Sequence, residues 1–487
     1  MMKIAFMTPP ITRHERYGAL AAAGSYSPPL ALCSLAAVTR KMGYETMILD
    51  TPVLGLDYEE AVKKVMEFSP QIIGITSVTA TFLSAMELAR QIKEKNKDVL
   101  IVAGGVHISA LPEESMEQFP QVDIAALGEG EETVMELFPI LEKGGDFTQV
   151  GGIAYRHNGS VKVNPDRPFI SNLDNLPLPA WDLLPGFPYA YNVQAQSVAN
   201  FPSTSVCSSR GCPSKCTFCD RRVFGAQFRY HSADYVMNLV NDLYYKYGIR
   251  DIQFEDDYFT ANRKRLFDIC AALKAAKLDL TWSCQAKVRS VNPEVLQAMK
   301  EAGCWSILYG VESGNQKILD LMLKQNSVKD IHRAIELSYE AGIHSKGLFI
   351  VGNVGETKET LEDTRRFILS SKLDDISLHY MTPFPGSPVY ADAEKYGTYE
   401  KNWNKMNFFV NPVFIPHGLT EKDLIDFSKS MYRQFYFRPR IIKGYLKRVK
   451  SFSHFLYLVK AAFALLRFVV QKATPSPTVK LGKECPT

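Results

Sequence analysis

The sequence lacks several features that would place it in other classes of protein. It has no apolar run of about 20 residues, so it predicts no membrane-spanning helix. The formal net charge of +4 is too small to indicate nucleic-acid binding by the whole chain, and no solenoid-type repeat is found. Met1-Met2-Lys3 leads straight into an apolar strand rather than a signal peptide, and with nine cysteines this predicts a reducing cytoplasm. A length of 487 residues with 46% hydrophobic content predicts several globular domains.

Three of the cysteines lie within eight residues, at Cys212, Cys216 and Cys219, with the spacing C-x3-C-x2-C. No fourth cysteine follows at zinc-ribbon distance, whereas a closed structural zinc site needs four ligands. Three thiolates suit a [4Fe–4S] cluster whose fourth iron stays open to bind another group. We expect Gly211 to let the backbone approach this cofactor and Phe218 to shield it from water. Ordinary loop cysteines, or a zinc knuckle that borrows a histidine, are the alternatives.

This spacing resembles the loop of the radical S-adenosylmethionine (SAM) superfamily. In that family the open iron binds the amino and carboxylate groups of SAM, and an electron from the reduced cluster cleaves SAM to a 5′-deoxyadenosyl radical. The resemblance therefore implies a [4Fe–4S] cluster and SAM as cofactors, with Phe218 of the loop in contact with SAM. It also implies an electron donor such as flavodoxin or ferredoxin.

Residues 1–145 alternate strand and helix in the rhythm of a doubly wound, flavodoxin-like α/β domain. Ligands of such sheets bind at the carboxyl ends of the strands. Small and polar residues gather at these predicted ends: Thr8, Ser77, Gly104, Gly105, Gly128, Glu129 and Gly130. Glycine-rich turns before helices suit a phosphate or nucleotide tail, although glycines that serve only chain reversal are the alternative.

The segments 8–10, 27–30, 104–107 and 128–131, with sequences TPP, SPPL, GGVH and GEGE, resemble the N-terminal cobalamin-binding domain of B12-dependent radical SAM proteins. The resemblance implies that cobalamin binds the strand ends named above. The D-x-H-x-x-G signature, whose histidine ligates cobalt in B12 carriers, is absent. His107 is the histidine at a strand end of this domain and is the candidate lower ligand. Another residue, water or no ligand are the alternatives.

A hairpin and a proline-rich linker are predicted over residues 146–200. Residues 201–385 then alternate strand and helix six times, which predicts a partial (β/α)6 barrel of the TIM type with its site at the carboxyl mouth. Polar side chains at the ends of two of these strands are candidates to contact SAM: Glu255, Asp256, Gln285 and Arg289. An arginine there would suit a carboxylate, whereas an acidic turn at the start of a helix is the ordinary interpretation of the carboxylates.

Two further segments resemble SAM-contacting motifs of the same family. Gly310-Val311-Glu312-Ser313-Gly314 is similar to its G-x-E-S-G motif, which implies that Glu312 and Ser313 contact SAM. The segment 347–357, GLFIVGNVGET, is similar to the strand and turn beside the adenine, which implies a contact from Ile350. The family usually has proline where Val354 stands.

The extension at residues 386–487 contains an aromatic stretch, residues 403–414, that we expect to cover the barrel mouth. Residues 438–472 carry nine basic residues, many apolar ones and no acidic residue. This pattern is typical of a basic amphipathic helix on an anionic membrane surface or an apolar partner. A helix packed on the protein's own barrel is the alternative.

Together the resemblances imply a cytoplasmic, cobalamin-dependent radical SAM enzyme, with membrane association open through residues 438–472. The expected reaction is methylation of an unactivated carbon in a lipophilic small molecule. A radical oxidative cyclase of the anaerobic magnesium-protoporphyrin monomethyl ester cyclase type is one alternative. A corrinoid or cluster-binding carrier or sensor without turnover is the other.

Overall fold

The computed structural model describes residues 2–18, 21, 24–191, 198–449 and 452–470. Two largely parallel sheets, each covered by helices, account for most of the described chain. Several strands of the first sheet are apolar along most of their length rather than alternating, because helices cover both faces of a parallel sheet. Ile4, Ala5, Phe6 and Met7 of the first strand are all buried, for example.

The first sheet has seven strands in the order β2-β1-β3-β4-β5-β6-β7. Strands β1 to β5 are parallel, whereas β6 and β7 form an antiparallel hairpin at one edge. The hairpin that the sequence placed in the linker thus extends this sheet. The strands are β1 (Lys3–Thr8), β2 (Glu45–Asp50), β3 (Ile72–Thr76), β4 (Leu100–Gly104), β5 (Ile124–Ala126), β6 (Ile153–His157) and β7 (Ser160–Val163).

Eight helices connect and cover these strands in the described residues. Several begin at side-chain caps, as at Asp57, whose carboxylate accepts a hydrogen bond from the Glu60 backbone N–H at 2.9 Å. The helices are α1 (Arg13–Tyr17), α2 (Leu30–Lys41), α3 (Thr51–Leu54), α4 (Tyr58–Phe68), α5 (Thr79–Lys95), α6 (Val106–Ala110), α7 (Pro112–Gln118) and α8 (Glu131–Glu142).

The second sheet is the predicted partial barrel, with six parallel strands in the order β8-β11-β12-β13-β14-β15. A short antiparallel pair, β9 with β10, encloses the cysteine loop between the first two barrel strands. The strands are β8 (Ser203–Val206), β9 (Ser209–Arg210), β10 (Arg229–Tyr230), β11 (Asp251–Phe254), β12 (Thr281–Ala286), β13 (Cys304–Glu312), β14 (His344–Val351) and β15 (Asp375–Tyr380).

Helices follow the barrel strands along the chain. Asn292 caps α11 by accepting a hydrogen bond from the Val295 backbone N–H at 2.9 Å, and Pro293 takes the first helical position, where its missing N–H costs nothing. The helices are α9 (Ala233–Asn241), α10 (Arg263–Ala276), α11 (Pro293–Glu301), α12 (Gln316–Leu321), α13 (Val328–Glu340) and α14 (Lys358–Ser370).

The extension contains α15 (Pro388–Asp392), β16 (Gly397–Tyr399), β17 (Phe414–Pro416), α16 (Glu421–Tyr436), α17 (Pro439–Arg448) and α18 (Phe452–Val470). Its aromatic stretch reaches both sheets. Trp403 packs edge-on against Phe82 of α5, with ring centroids 5.5 Å apart, and the Tyr380 backbone N–H at the end of β15 donates to the Phe408 carbonyl at 2.9 Å. Among the described helices, none is both long enough and apolar enough to cross a membrane.

Candidate active site

A cavity of about 690 Å³ lies between the carboxyl ends of the two sheets. The first sheet contributes the turns after β3, β4 and β5. The barrel contributes the cysteine loop and the ends of β12 and β13. The predicted residues that line the cavity are Ser77, Gly104, Gly105, Gly128, Glu129, Gly130, Cys212, Cys216, Phe218, Cys219, Gln285 and Glu312.

All three cysteines of the C-x3-C-x2-C loop face this cavity as free thiols. Within the loop, the Cys219 backbone N–H donates to the Cys216 carbonyl at 3.3 Å and closes a tight turn. Thr217 between them fastens the loop to its surroundings, since its N–H donates to the Met322 carbonyl and its carbonyl accepts from the Val389 N–H, both at 3.0 Å. The loop is therefore held mainly by backbone bonds, and among the thiols that of Cys219 donates to the Asp220 carbonyl at 3.7 Å.

Burial favours the neutral form of two of these thiols. Burial raises the pKa of Cys216, and the nearby Lys324 ammonium opposes that rise. Burial, with Cys216 as its neighbour, raises the pKa of Cys219 to about 12. Bound iron would replace these protons, because thiolates are the ligands.

The donor set consists of three thiols on one loop, and thiolates are the ligands of iron–sulfur clusters. Across the described ranges, no three metal-ligating side chains converge on one point, as a single ion would require. Thiolates that bind three different irons of one cluster need not converge in this way.

Gly211 has a different role from the one that the sequence predicted. Its φ is +83°, and a Cβ built there would lie 2.2 Å from the Gln227 carbonyl oxygen. The space next to Gly211 is thus filled by the protein's own backbone, so this glycine permits the loop to fold tightly rather than giving room to a cofactor. Phe218 does line the cavity, and the Lys324 ammonium lies 5.6 Å from the centre of its ring.

Glu312 and Lys324 form a buried ion pair at the cavity wall. Glu312 is only 6% exposed and has a φ of +65°, a conformation that a non-glycine residue adopts at a cost. The sequence did not single out Lys324, which precedes α13 and pairs with a strand residue 12 positions earlier. Its position beside both Glu312 and the cysteine loop makes it a part of the site.

The three neighbouring carboxylates at 255–257 have different roles. The Gln285 amide donates to Glu255 at 3.1 Å, and burial raises the pKa of Glu255. Asp256 lies outside the cavity and accepts three hydrogen bonds from Ser208 and Ser209, at 2.6 to 2.7 Å. It thereby fastens β9 to the barrel. Of the three carboxylates, Asp257 lines the cavity, whereas Glu255 and Asp256, which were predicted to contact SAM, do not.

Three other residues predicted to contact SAM are not part of the cavity wall. Arg289 is exposed and faces a separate cleft, where its Nε lies 3.7 Å from Asp330 Oδ2. The buried Ser313 hydroxyl lies 3.2 Å from that of Thr364 and so ties β13 to α14. Ile350 packs among apolar side chains, and Leu348 on the same face of β14 lines the cavity instead.

At the edge of the first sheet, three turn glycines line the cavity with their backbone: Gly104, Gly105 and Gly128. Gly105 has a φ of +111°, and a Cβ there would lie 2.3 Å from the Ser77 carbonyl oxygen, so only glycine fits this turn. Gly104 and Gly128 continue the same edge. A Cβ at Gly104 or Gly128 would meet nothing closer than 3.7 Å, so backbone is open to the cavity there, which suits a large planar ring such as a corrin. Thr8 is outside this edge, because its hydroxyl donates to Asp50 at 2.7 Å at the end of β1.

His107 departs most clearly from its predicted role as a cobalt ligand. Its side chain is fully buried away from the cavity, stacked on Phe82 with ring centroids 3.9 Å apart and edge-on to Trp403 at 4.5 Å. Its Nδ1 lies 3.2 Å from the Thr79 hydroxyl, and burial lowers its pKa to about 3. The ring is therefore a neutral packing element.

Two carboxylates of the GEGE segment bind two arginines of the cysteine-loop hairpin. Arg210 Nη1 lies 2.9 Å from Glu129 Oε1, and its Nη2 lies 2.6 Å from Glu131 Oε1. Arg229 Nη1 lies 2.8 Å from Glu129 Oε2. Burial alone would raise the pKa of Glu131, but Arg210 outweighs it and the pKa is lowered. Glu129, predicted to bind cobalamin, thus joins the turn after β5 to the cysteine-loop hairpin at the cavity wall.

Sequence comparison gives matches over both halves of the chain. The B12 binding domain matches residues 17–138, and the Radical SAM superfamily matches residues 206–368. The uncharacterized methyltransferase PH0819 of Pyrococcus horikoshii is 34% identical over 475 residues, which cover 97% of this chain and 99% of that protein. The anaerobic magnesium-protoporphyrin IX monomethyl ester cyclase of Rubrivivax gelatinosus is 27% identical over 91% of this chain and 79% of its own length.

Solved structures share the fold. The radical SAM methyltransferase TsrM of Kitasatospora setae, with cobalamin and a [4Fe–4S] cluster bound, gives a TM-score of 0.72 at 16% identity, covering 95% of this chain and all of that one. The cobalamin-dependent radical enzyme OxsB, with aqua-cobalamin and SAM bound, gives a TM-score of 0.72 at 19% identity, covering 96% and 75%. The two-sheet arrangement is therefore that of these structures.

Proposed function

Since the chain belongs to the radical SAM superfamily, in the group that carries an N-terminal B12-binding domain, we propose that it methylates an unactivated carbon of a lipophilic small molecule. Membership of this family identifies the protein as an enzyme that uses a [4Fe–4S] cluster, SAM and cobalamin. When bound, SAM at the reduced cluster supplies a carbon-centred radical, and cobalamin supplies a methyl group.

One observation carries the proposal. A single cavity is lined both by the three cysteines of the barrel and by Gly104, Gly105 and Gly128 of the first sheet, which we call the glycine edge. A substrate in this cavity can therefore meet both cofactors without leaving the protein. In this assignment residues 1–145, with the added hairpin, serve cobalamin, and residues 201–385 serve the cluster and SAM.

The residues of the cavity wall have distinct parts in the proposal. Cys212, Cys216 and Cys219 would hold the cluster. Glu312 offers a carboxylate to the ammonium group of SAM. Lys324, which pairs with Glu312 in this structure, offers a cation to the carboxylate group of SAM. The glycine edge would receive the corrin ring. In this proposal Thr8 and His107 do not contact cobalamin, and Arg289 does not contact SAM.

The walls of the cavity support a lipophilic substrate. Apolar side chains from both sheets face it, among them Leu35, Val102, Leu308 and Leu348. Burial of an apolar substrate against such walls contributes about 25 cal/mol per Å² of apolar surface removed from water. Closure by apolar walls also keeps water from reactive intermediates.

An external one-electron donor, such as flavodoxin or ferredoxin, belongs to the proposal. Beyond the three loop cysteines, the six remaining cysteines form no second closely spaced set in the sequence. The chain therefore offers no sequence motif for a second cluster that would relay electrons internally.

A radical oxidative cyclase is the second candidate, because the relative from Rubrivivax gelatinosus carries that name and matches 91% of this chain. The two reactions leave different products. A methyltransferase adds one methylene unit of mass to its substrate, whereas an oxidative cyclase removes hydrogen from it and adds no carbon. Mass spectrometry of the converted substrate separates them.

The test is an anaerobic incubation of the reconstituted protein with SAM and dithionite. We expect 5′-deoxyadenosine to form, and we expect the purified protein to show a corrin absorption spectrum after supply of cobalamin. A reduced cluster without 5′-deoxyadenosine would instead identify a sensor or carrier. Absence of bound corrinoid would overturn the methylation proposal.

A further inference from the structure

Helix α18 has two faces of different exposure. On its inner side Ala464 is 4% exposed, and Phe468 meets Tyr432 of α16 edge-on, with ring centroids 5.7 Å apart. Leu465 and Val469 pack against the same core. The helix is thus anchored on α16, and α16 in turn packs on the barrel, where the Tyr432 hydroxyl accepts a hydrogen bond from the Leu378 backbone N–H of β15 at 2.9 Å. Packing on the protein's own barrel, one of the two alternatives that the sequence left open, is therefore met through α16.

The opposite side of α18 is also apolar, although it faces solvent. Phe455, Leu456, Phe463 and Leu466 are 40%, 44%, 67% and 40% exposed. At 3.6 residues per turn these four positions fall within an arc of about 100°. Single exposed apolar residues are ordinary, but an apolar stripe on the outer side of a surface helix marks an interaction site.

Basic residues border this stripe. Lys460 and Arg467 are exposed and follow the stripe on one side, within about 40° of Leu456 around the helix. Helix α17 repeats the pattern, with Ile442 and Leu446 at 45% and 59% exposure and with exposed lysines directly after each of them in the sequence. No acidic residue occurs from position 438 to position 472. The outer side is therefore apolar and cationic at once.

We propose that the outer faces of α17 and α18 dock the protein onto an anionic lipid bilayer. An apolar stripe with a cationic border matches the interface between acyl chains and acidic headgroups, where each basic residue adds attraction. The helix lies along this interface, consistent with the finding that no described helix is suited to cross a membrane. The surface is separate from the cavity and does not rest on the proposed reaction.

The test is co-sedimentation of the full chain with vesicles of phosphatidylcholine alone, or of phosphatidylcholine with 30% phosphatidylglycerol. We expect binding to the anionic vesicles that falls steeply as salt is raised. The double variant Phe463→Ser, Leu466→Ser should bind at least about tenfold more weakly, because two large apolar side chains no longer enter the bilayer. Tyr245→Ser, which removes an aromatic side chain that is 72% exposed on the barrel, is the matched control and should bind as the wild type does.

A second pair of changes tests the charge without altering the apolar stripe. Lys460→Glu with Arg467→Glu should abolish the preference for anionic vesicles. Equal binding of the wild type to both vesicle types, or no binding to either, would overturn the proposal. A concentration-dependent dimer that the Phe463, Leu466 double variant dissolves, without vesicle binding, would assign the surface to a second copy of the chain and would also overturn it. Formation of 5′-deoxyadenosine should be unchanged in every variant, which separates this test from that of the proposed function.

Discussion

Arg210 of the cysteine-loop hairpin and Glu131 of helix α8 form a buried ion pair, with Arg210 Nη2 only 2.6 Å from Glu131 Oε1 although 79 residues separate them. Arg210 ends β9 and leads directly into the cysteine loop. Glu131 begins α8 directly after the glycine turn at 128–130. The pair therefore fixes the start of the cluster loop relative to the edge assigned to cobalamin, and it sets how the two cofactor sites face one another.

Replacement of Glu131 by glutamine should destabilise the protein strongly. The change leaves two buried guanidinium groups, of Arg210 and Arg229, to share the single carboxylate of Glu129. Removal of one partner of a buried ion pair costs about 3–5 kcal/mol. We expect the first urea unfolding transition to move to clearly lower concentration. Glu294→Gln is the control, because its pair with Arg263 is more than half exposed on both sides and such pairs contribute about 1 kcal/mol at most. Equal shifts for the two variants would contradict the role given to the buried pair.

Replacement of any of the three loop cysteines should remove the cluster, whereas replacement of a fourth cysteine in the same cavity should not. Alanine at Cys212, Cys216 or Cys219 should remove most of the iron and sulfide from the reconstituted protein, since each thiolate would bind its own iron. Cys207 also lines the cavity, but its thiol donates to the Ser209 carbonyl at 3.1 Å and lies outside the motif. Cys207→Ala should therefore keep a full cluster, measured by iron analysis and by the paramagnetic signal after reduction. A full cluster in Cys216→Ala would refute the ligand assignment.

Local patterns in the sequence predicted most of the fold and the motif positions of the site. Strand and helix alternation predicted both sheets, and the cysteine spacing predicted the loop that faces the cavity. The roles of single side chains depended on partners distant in the chain. Glu129 stands at the expected turn, yet it binds Arg229, which lies 100 residues further on. No periodicity indicates such a pair.

The two clearest differences between the predicted and the observed site residues have the same origin. His107 follows a strand end, as predicted, but Trp403 from the extension closes over it, nearly 300 residues later in the sequence. Arg289 also follows a strand end, and the short helix at 288–290 carries it outward to Asp330. Proximity to a strand end thus identified the correct region, whereas side-chain direction was set by tertiary packing.

Replacement of His107 by phenylalanine should leave the cobalamin spectrum unchanged. Burial lowers the pKa of His107 to about 3, so the wild-type ring is neutral, and phenylalanine can keep the stacking on Phe82. Loss of the contact with the Thr79 hydroxyl should cost about 1 kcal/mol of stability. The measurement is electron paramagnetic resonance of the cob(II)alamin-loaded protein. Nitrogen superhyperfine splitting that is present in the wild type and lost in the variant would restore His107 as the lower ligand.

Glu356 should make the protein less stable as the pH rises through neutrality. Its carboxyl group is buried in the turn after β14, where it accepts hydrogen bonds from the backbone N–H groups of Gly352 and Asn353. Burial raises its pKa from 4.5 to about 7. Because the folded protein holds this proton more tightly than the unfolded chain, the associated stability is complete below pH 4.5 and is lost as the pH passes 7.

The variant Glu356→Gln removes this titration and keeps an oxygen that can accept both hydrogen bonds. Between pH 5 and pH 8 the wild type should lose about 2–3 kcal/mol of stability relative to the variant, since one unit of pKa shift corresponds to about 1.4 kcal/mol. Urea unfolding at several pH values in this range measures the difference. Glu359→Gln, at an exposed carboxylate whose pKa is lowered by Thr357, is the control and should follow the wild type above pH 5. Parallel pH profiles for the wild type and Glu356→Gln would mean that the buried carboxyl group is ionised in the folded protein, with its charge held by the two backbone N–H groups.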